Sequence, residues 1–372
     1  MVCREFATLL GDDFKMCLFQ PLSCDWSQER IQLGWDLVPP DEPWIILPPE
    51  NPEATTRVIS LVSEADVAVI GISPYMPKEI ITLRKRNHRL TFIMGERFFK
   101  KKRRILDFLN PYQWRRWFGV HLRLNHPSFH YLTMNYYCAE DLRFLHVCVG
   151  RIWTWGYLTP VSPTIPTKKH SGKMRIGWCG RMLDCKQTSF LLDAIGLLRK
   201  SFRERCEVFI VGDGPCLKSL KEQTAFLGLE NVVKFFPVMP YKEILLFLEN
   251  LDVYVFPSNR VEGWGATLLE AMDKGCVVIA NREAGATCEV IQDGVNGWIF
   301  EDGDIGTISE KIKWCIEHPD KRGLMGQEAW RTVQMWAPLE GATRFIKLAK
   351  GISHVGEDVA GYFKNGLCSF KG

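Results

Sequence analysis

From Arg175 onward, short apolar runs alternate with stretches of helical period, and this alternation constrains the fold more than any other feature of the chain. The runs are Arg175–Cys179, Val208–Val211, Val232–Phe235, Val253–Phe256, Val277–Ala280 and Gly297–Phe300. Between them lie Phe190–Arg199, Cys216–Leu227, Tyr241–Glu249 and Gly265–Lys274, whose apolar residues recur at helical spacing. Short buried runs separated by helices predict βαβ units and a parallel sheet. Such sheets bind ligands at the carboxyl ends of their strands, so the loops that follow these runs are where a site is sought. The first half alternates less cleanly. Lys15–Gln20, Trp44–Leu47, Val67–Ile72, Leu90–Met94 and Tyr131–Tyr137 read as strands, and Glu53–Ser63 and Lys78–Arg86 as helices. No repeat of 20–50 residues is visible, so the halves share architecture rather than sequence. Between them, Thr159–Pro166 holds Pro160, Pro163 and Pro166 and reads as a linker. At 372 residues two domains are expected. The predicted division is 1–158, a linker 159–173, a second domain 174–345 and a tail 346–372 free to pack back on the first domain.

Composition narrows the class. Apolar residues make up 46% of the chain and charged residues 24%, as in a globular domain. No apolar run approaches the ~20 residues that span a bilayer, and Met1–Glu5 has no signal-peptide core. The 13 cysteines are scattered, odd in number and without a C-x-x-C pair. They read as small hydrophobes in a reducing compartment, so a cytoplasmic location is expected, with no metal bound through cysteine. Net charge is only +4, yet Arg84 to Arg116 carries twelve Lys/Arg against Glu96 and Asp107. Such a run is usually a solvated face. Interleaved Phe98, Phe99, Trp114 and Trp117 make residues 97–116 a candidate contact with an anionic membrane surface, at its inner face. Nucleic acid is not expected as a partner, since no recognition motif accompanies the charge.

Three strand-end loops carry chemistry. Glu262-Gly263-Trp264-Gly265 follows Val253–Phe256 and leads into a helix that holds Glu270. Gly263 and Gly265 let the backbone approach a ligand, and the helix start suits phosphate. Read alone, the stretch is a turn and an amphipathic helix with two surface glutamates. Its place after a strand argues for a site. Gly180-Arg181-Met182-Leu183-Asp184-Cys185-Lys186 closes the first strand of this half. A cationic pair there, Arg181 and Lys186, suits a diphosphate leaving group, whose charge grows as its bond breaks. Gly212-Asp213-Gly214-Pro215 follows the second strand and reads first as a tight turn into a helix. A dinucleotide fingerprint would need a third glycine at Leu217, which excludes a dehydrogenase. Among the histidines of the first half, His121, His126 and His130, His121 and His126 are the acceptor-side base candidates, although packed or exposed histidine is commoner. Paired carboxylates would also suit a glycosidase, which needs no diphosphate cradle.

The second half resembles the retaining family-4 (group 1) glycosyltransferases. The likeness runs from about Met174 to Lys350. Asp252–Ser258 is similar to their strand and turn before the paired glutamates, and Gly275–Ala280 to the strand that follows. Ala284-Gly285-Ala286-Thr287-Cys288-Glu289 is similar to their Gly-Gly-x-x-Glu stretch with Ala284 for the first glycine, and Gly294–Gly297 to the next turn. The family glycine after the lysine is Gln187 here. The resemblance implies an α/β chain of two Rossmann-like domains facing across a cleft, the GT-B fold. It implies that Glu270 binds the donor ribose, that Glu262 lies beside the donor sugar and phosphate, and that Arg181 and Lys186 neutralise the diphosphate. Gly263, Trp264, Gly265, Gly212 and Gly214 would complete the donor site. The partners would be a nucleotide-sugar donor and a glycan or lipid-linked acceptor, with no cofactor and no metal.

Family members open with an apolar strand and a Gly-containing loop. Here Arg4–Asp13 reads as the end of a first helix followed by a second strand, so the first domain is expected to lack its first strand. The function expected is sugar transfer with retention in polysaccharide or glycoconjugate synthesis. The alternative is a catalytically defective homologue that binds nucleotide sugar or an assembly partner.

Overall fold

A computed structural model of the protein describes residues 2–19, 42–49, 51–71, 75–100, 110–168, 172–354 and 358–372. By compactness the chain forms two units, Met1–Leu158 with Pro338–Gly372, and Thr159–Ala337.

The second unit is built on six strands: β7 (Met174–Cys179), β8 (Cys206–Val211), β9 (Val233–Phe236), β10 (Val253–Phe256), β11 (Val277–Asn281) and β12 (Gly297–Phe300). Their order is β12-β11-β10-β7-β8-β9, and every pairing is parallel. Each strand falls within two residues of its sequence-based limits; in β10 and β11 every residue is buried, so there the apolar run is the strand. On one face Ile176, Trp178, Val208, Ile210, Val253, Val255, Val277 and Ile279 are buried with Leu191, Leu192 and Ile195 of the helix Ser189–Leu197 and Ile308 and Ile312 of the helix Ile305–Glu317. The helices Leu217–Phe226, Tyr241–Glu249 and Ala266–Asp273 form the crossovers from β8 to β9, β9 to β10 and β10 to β11, and Pro319–Gln334, beyond β12, packs against Ala266–Asp273.

The proline-rich segment is not a free spacer. Ser162 donates its N–H and hydroxyl to Asp273 at 2.6 and 2.7 Å, and its carbonyl accepts from Trp330 Nε1 at 3.1 Å. Lys168 Nζ donates to the Lys274 carbonyl at 2.7 Å. Proline suits such a strap, since it removes donors that an extended segment cannot pair.

The first unit holds β3 (Val67–Gly71), β4 (Leu90–Gly95), β5 (Phe129–Thr133) and β6 (Ile152–Thr154) in one parallel sheet of that order. The strand expected at Tyr131–Tyr137 begins at Phe129 and stops at Thr133, because the Asn135 side chain accepts from Tyr137 N at 2.9 Å and turns the chain. β1 (Met16–Cys17) and β2 (Ile45–Ile46) pair in a separate parallel sheet. Among the described residues no ladder joins this pair to β3. The outer side of β6 is covered by the C-terminal residues. Cys368 N donates to Thr154 O at 2.8 Å, Thr154 N to Ser369 O at 2.9 Å and Lys371 N to Ile152 O at 2.8 Å. The helix Pro338–Ser353 belongs here too, its Phe345 packing against Phe6 and Phe92, so the division falls at Ala337/Pro338 rather than at 345.

Two basic side chains of this unit are interior. Arg84 is fully buried and donates to the carbonyls of Val62, Ala65 and Leu90 at 2.6 to 2.8 Å and to Thr91 Oγ1 at 2.8 Å. It thereby satisfies carbonyls at the end of the helix Pro52–Glu64. Arg97 is buried 3.3 Å from Asp141 Oδ2 and 4.8 Å from the Tyr137 ring centre. Phe98 and Phe99 are 2% and 0% exposed. The expected membrane-facing segment 97–116 is therefore corrected at its start, where the aromatic residues belong to the core. Residues 101–109 lie outside the described residues.

Candidate functional site in the second unit

The site is assembled by the loops at the carboxyl ends of the strands. The loops after β7 and β8 lie back to back, with Met182 N donating to Asp213 O at 2.7 Å and Cys216 N to Met182 O at 3.0 Å. At Gly212, φ is +135° and an added Cβ would stand 2.0 Å from the Gly180 carbonyl oxygen. Only glycine fits so close an approach. Asn259 N donates to Cys185 O at 2.9 Å and ties the loop after β10 to the one after β7. That tie brings Lys186 and Glu262 into a half-buried ion pair. Arg181, on the same loop as Lys186, is exposed, and its guanidinium makes no hydrogen bond or ion pair among the described residues.

Gly265 precedes the helix Ala266–Asp273 with φ +93°, and a Cβ there would meet the Phe256 ring at 2.2 Å. It offers no side-chain cap; its carbonyl accepts from Leu268 N at 3.0 Å, and the helix start that remains suits an anion. Glu270, in the same helix, is 3% exposed. Burial pushes its carboxyl up to about 7, against the hydrogen bond from Tyr241, which favours the charged form. Its Oε2 has no hydrogen-bond partner among the described residues. A buried carboxylate oxygen left in this state is matched by a ligand donor such as a hydroxyl.

The remaining predicted residues take varied places. Gly214, φ +148°, abuts Met182 as Gly212 abuts Gly180. Gly263 is half-buried between Glu262 and Trp264. Trp264 is buried against Trp336 at 5.3 Å, and its carbonyl accepts from Ala286 N at 3.0 Å. Its indole is packed beneath the loop, with Nε1 buried and unpartnered among the described residues. Gln187, where a glycine was expected, adopts the left-handed conformation with φ +45°. With its amide assigned from the local donors and acceptors, Nε2 donates to Pro257 O at 2.8 Å and Asp302 Oδ1 at 3.1 Å. Asn281 Nδ2 joins the same Asp302 at 2.9 Å.

The histidines lie elsewhere. His121 is buried against Phe98 at 5.0 Å. His126 precedes β5, at the amino end of the first unit's sheet, opposite the strand ends that bind ligands. His130 accepts from Trp153 Nε1 at 3.1 Å, and burial followed by Arg151 lowers its imidazole to about 4. His126 is therefore not positioned as the acceptor-side base expected of it. Sequence reasoning also passed over Tyr241. Its signal was its place as first residue of the helix after β9, on a strand-end loop like the others. The chain's single Asp-x-Asp, Asp302 and Asp304, is structural on both sides. Asp302 accepts from Asn281, and Asp304 caps the helix Ile305–Glu317 through Thr307 N at 3.0 Å. No group of three or more His, Cys, Asp or Glu suited to a metal occurs among the described residues.

Comparison with known proteins agrees with this architecture. Residues 166–331 match the family described as glycosyl transferases group 1. An uncharacterized glycosyltransferase of Methanocaldococcus jannaschii is 28% identical over 162 residues, 44% of this chain and 41% of that one. The GDP-mannose-dependent alpha-(1-6)-phosphatidylinositol monomannoside mannosyltransferase of Mycolicibacterium smegmatis is 29% identical over 152 residues, 39% of each. The chain thus spans about two-fifths of the length of these curated relatives. The solved structure of Anabaena HepE in complex with UDP superposes with a TM-score of 0.68 at 16% identity, over 94% of this chain and 95% of that one. At that identity the likeness shows the fold, two Rossmann-like units of the GT-B type. Over residues 166–331, most of its second unit, the chain is similar to the group 1 glycosyl transferases.

Proposed function

We propose that the protein transfers a sugar, with retention, from a nucleotide-diphosphate sugar held by the second unit to a glycan or lipid-linked acceptor. One observation carries this reading: the strand-end loops bring the Lys186–Glu262 pair, the uncapped helix start at Gly265 and the unpartnered Glu270 Oε2 to one end of one sheet. In this reading Glu270 accepts ribose hydroxyls and Glu262 lies beside the donor sugar. Arg181 and Lys186 face the diphosphate. The bond from the anomeric carbon to the diphosphate oxygen breaks, its electron pair leaves with the phosphate, and the acceptor oxygen attacks on the same face. Its proton passes to the departing phosphate oxygen, so no side-chain base is required. Fixed cations favour this step because charge on the diphosphate rises as the bond lengthens. HepE, with the same fold, was solved with UDP and with UDP-glucose.

Turnover of a panel of nucleotide sugars by the purified chain tests the reading. Release of nucleoside diphosphate with one donor, dependent on an added acceptor, is expected. Hydrolysis without transfer to any glycan or lipid acceptor would contradict it. Peripheral contact with an anionic membrane surface, if part of this function, would use the exposed Lys100, Trp114 and Arg115. Binding to anionic vesicles that weakens with salt checks that element.

A further inference from the structure

Two free cysteines stand on contacting loops of the second unit's site. Cys185 is on the loop after β7 and Cys216 on the loop after β8, and both are partly exposed. The loops are joined at these residues. Cys216 N donates to Met182 O at 3.0 Å, and its thiol donates to Asp184 Oδ1 at 3.2 Å, one residue before Cys185. Cys185 is close enough to act electrostatically on the Cys216 thiol. Burial, followed by the Asp184 carboxylate, pushes that thiol up, so it is held protonated with its proton directed at an exposed carboxylate. Lys186, paired with Glu262, is the next residue after Cys185. The other cysteines of this unit lack the arrangement. Cys179, Cys206, Cys276 and Cys315 are buried, and Cys288, also partly exposed, directs its thiol to Arg282 O at 3.6 Å.

A thiol open to solvent, a second thiol across a loop contact and a carboxylate placed to take the second thiol's proton make an oxidisable dithiol. We propose that Cys185 and Cys216 form a reversible disulfide with hydrogen peroxide as oxidant, and that this disulfide weakens the site's hold on a diphosphate. The Cys185 sulfur attacks one oxygen of the peroxide, the O–O bond breaks, and a sulfenic acid and a water result. Cys216 then passes its proton to Asp184 and attacks the Cys185 sulfur. The S–O bond breaks, and the departing hydroxide takes up that proton as a second water. In all, the two thiols lose two electrons and two protons, and the peroxide is reduced to two waters. In a reducing compartment such a bond is transient, which suits a switch rather than a staple. A disulfide holds its Cα atoms about 4.4–6.8 Å apart. It therefore fixes Cys185 against the loop after β8 and draws Lys186 from its place beside Glu262. The effect on donor binding rests on the transfer reading above, whereas the disulfide itself does not.

The test treats the full chain with hydrogen peroxide, alkylates the remaining thiols and maps its peptides by mass without reduction. UDP, GDP and ADP are titrated into the reduced and the oxidised protein. A crosslink between the peptides of Cys185 and Cys216, reversed by dithiothreitol, is expected, with diphosphate affinity lower by about tenfold or more while it stands. Cys216→Ser should stop the crosslink and leave Cys185 as a sulfenic acid that dimedone labels. Cys288→Ser should change nothing. Asp184→Asn, which keeps an acceptor for the thiol but is no base, should slow the crosslink by about tenfold or more. Alkylation of both Cys185 and Cys216 after peroxide, or a crosslink from either to a different cysteine, would overturn the inference. So would a Cys185–Cys216 crosslink that leaves diphosphate affinity unchanged. Failure of the reduced chain to bind any nucleoside diphosphate would instead overturn the donor reading, and the peptide map would still decide whether the dithiol forms.

Discussion

The hydroxyl of Tyr241 hydrogen-bonds the carboxylate of Glu270, one residue opening the helix after β9 and the other inside the helix after β10. The pair gives the donor site a pH dependence. Burial raises the Glu270 carboxyl from 4.5 to about 7, so the folded state holds a proton there that the unfolded state has released. That contribution to stability is full below pH ~4.5 and lost as pH rises through ~7, an effect of at most about 3 kcal/mol. Glu270→Gln removes the penalty of a buried charge. Its thermal midpoint should exceed wild type at pH 8, and the gap should close towards pH 5. The same variant should bind donor about 10- to 100-fold more weakly at pH 8, since charge-assisted bonds are worth ~1.5–3 kcal/mol. Melting curves at the two pH values and calorimetric titration check both halves. A midpoint gap that does not change with pH would remove the burial argument.

Lys186 and Glu262 are paired, so each should be costly to lose alone. Lys186→Ala should lower kcat on the order of 10²–10³ with a smaller change in donor KM, as for other preorganised electrostatic groups. Arg181→Ala should act in the same sense. A rise in KM at constant kcat would place these cations in ground-state binding only. Chelators should leave turnover unchanged, which a strict Mn²⁺ or Mg²⁺ requirement would contradict.

Gln187 sits in the left-handed region, held by Pro257 O and Asp302. Alanine at this position would keep the backbone strain and lose the tie, whereas glycine would lose the tie and the strain together. Gln187→Ala should therefore be less stable than Gln187→Gly by roughly 1 kcal/mol. Chemical denaturation of the two variants measures the difference, and equal stabilities would mean that the conformation carries no strain.

Asp141 takes Arg97 and Phe99 N in the core of the first unit. Asp141→Asn leaves the guanidinium buried without its counter-charge and should cost about 3–5 kcal/mol. Hydrogen exchange should show the loss in the first unit, with nucleotide affinity in the second unit unchanged. Equal loosening of both units would contradict their independence in this respect.

The second unit was legible because its central strands, such as β10 and β11, are apolar runs covered on both faces, so the run and the strand coincide. The glycine turns at Gly212 and Gly265 were legible for a related reason, since their approach distances admit nothing larger. What escaped was set by partners distant in sequence. Arg97, Phe98 and Phe99 read as a surface stretch because the group that buries the charge, Asp141, is far along the chain. β6 is three residues long, and its partners, β5 and the C-terminal Cys368–Lys371, leave no local pattern. Tyr241 was missed because its role depends on Glu270, one crossover away. The histidines were read from residue type alone, and topology places His126 at the wrong end of its sheet.

The central claim, that the strand-end loops of the second unit hold a nucleotide diphosphate, is tested most directly by calorimetric titration of the full chain with UDP, GDP and ADP in parallel with Glu270→Gln. The account predicts saturable one-to-one binding of at least one of them, with affinity about 10- to 100-fold lower in the variant. Binding of none, or equal binding by both proteins, would contradict it.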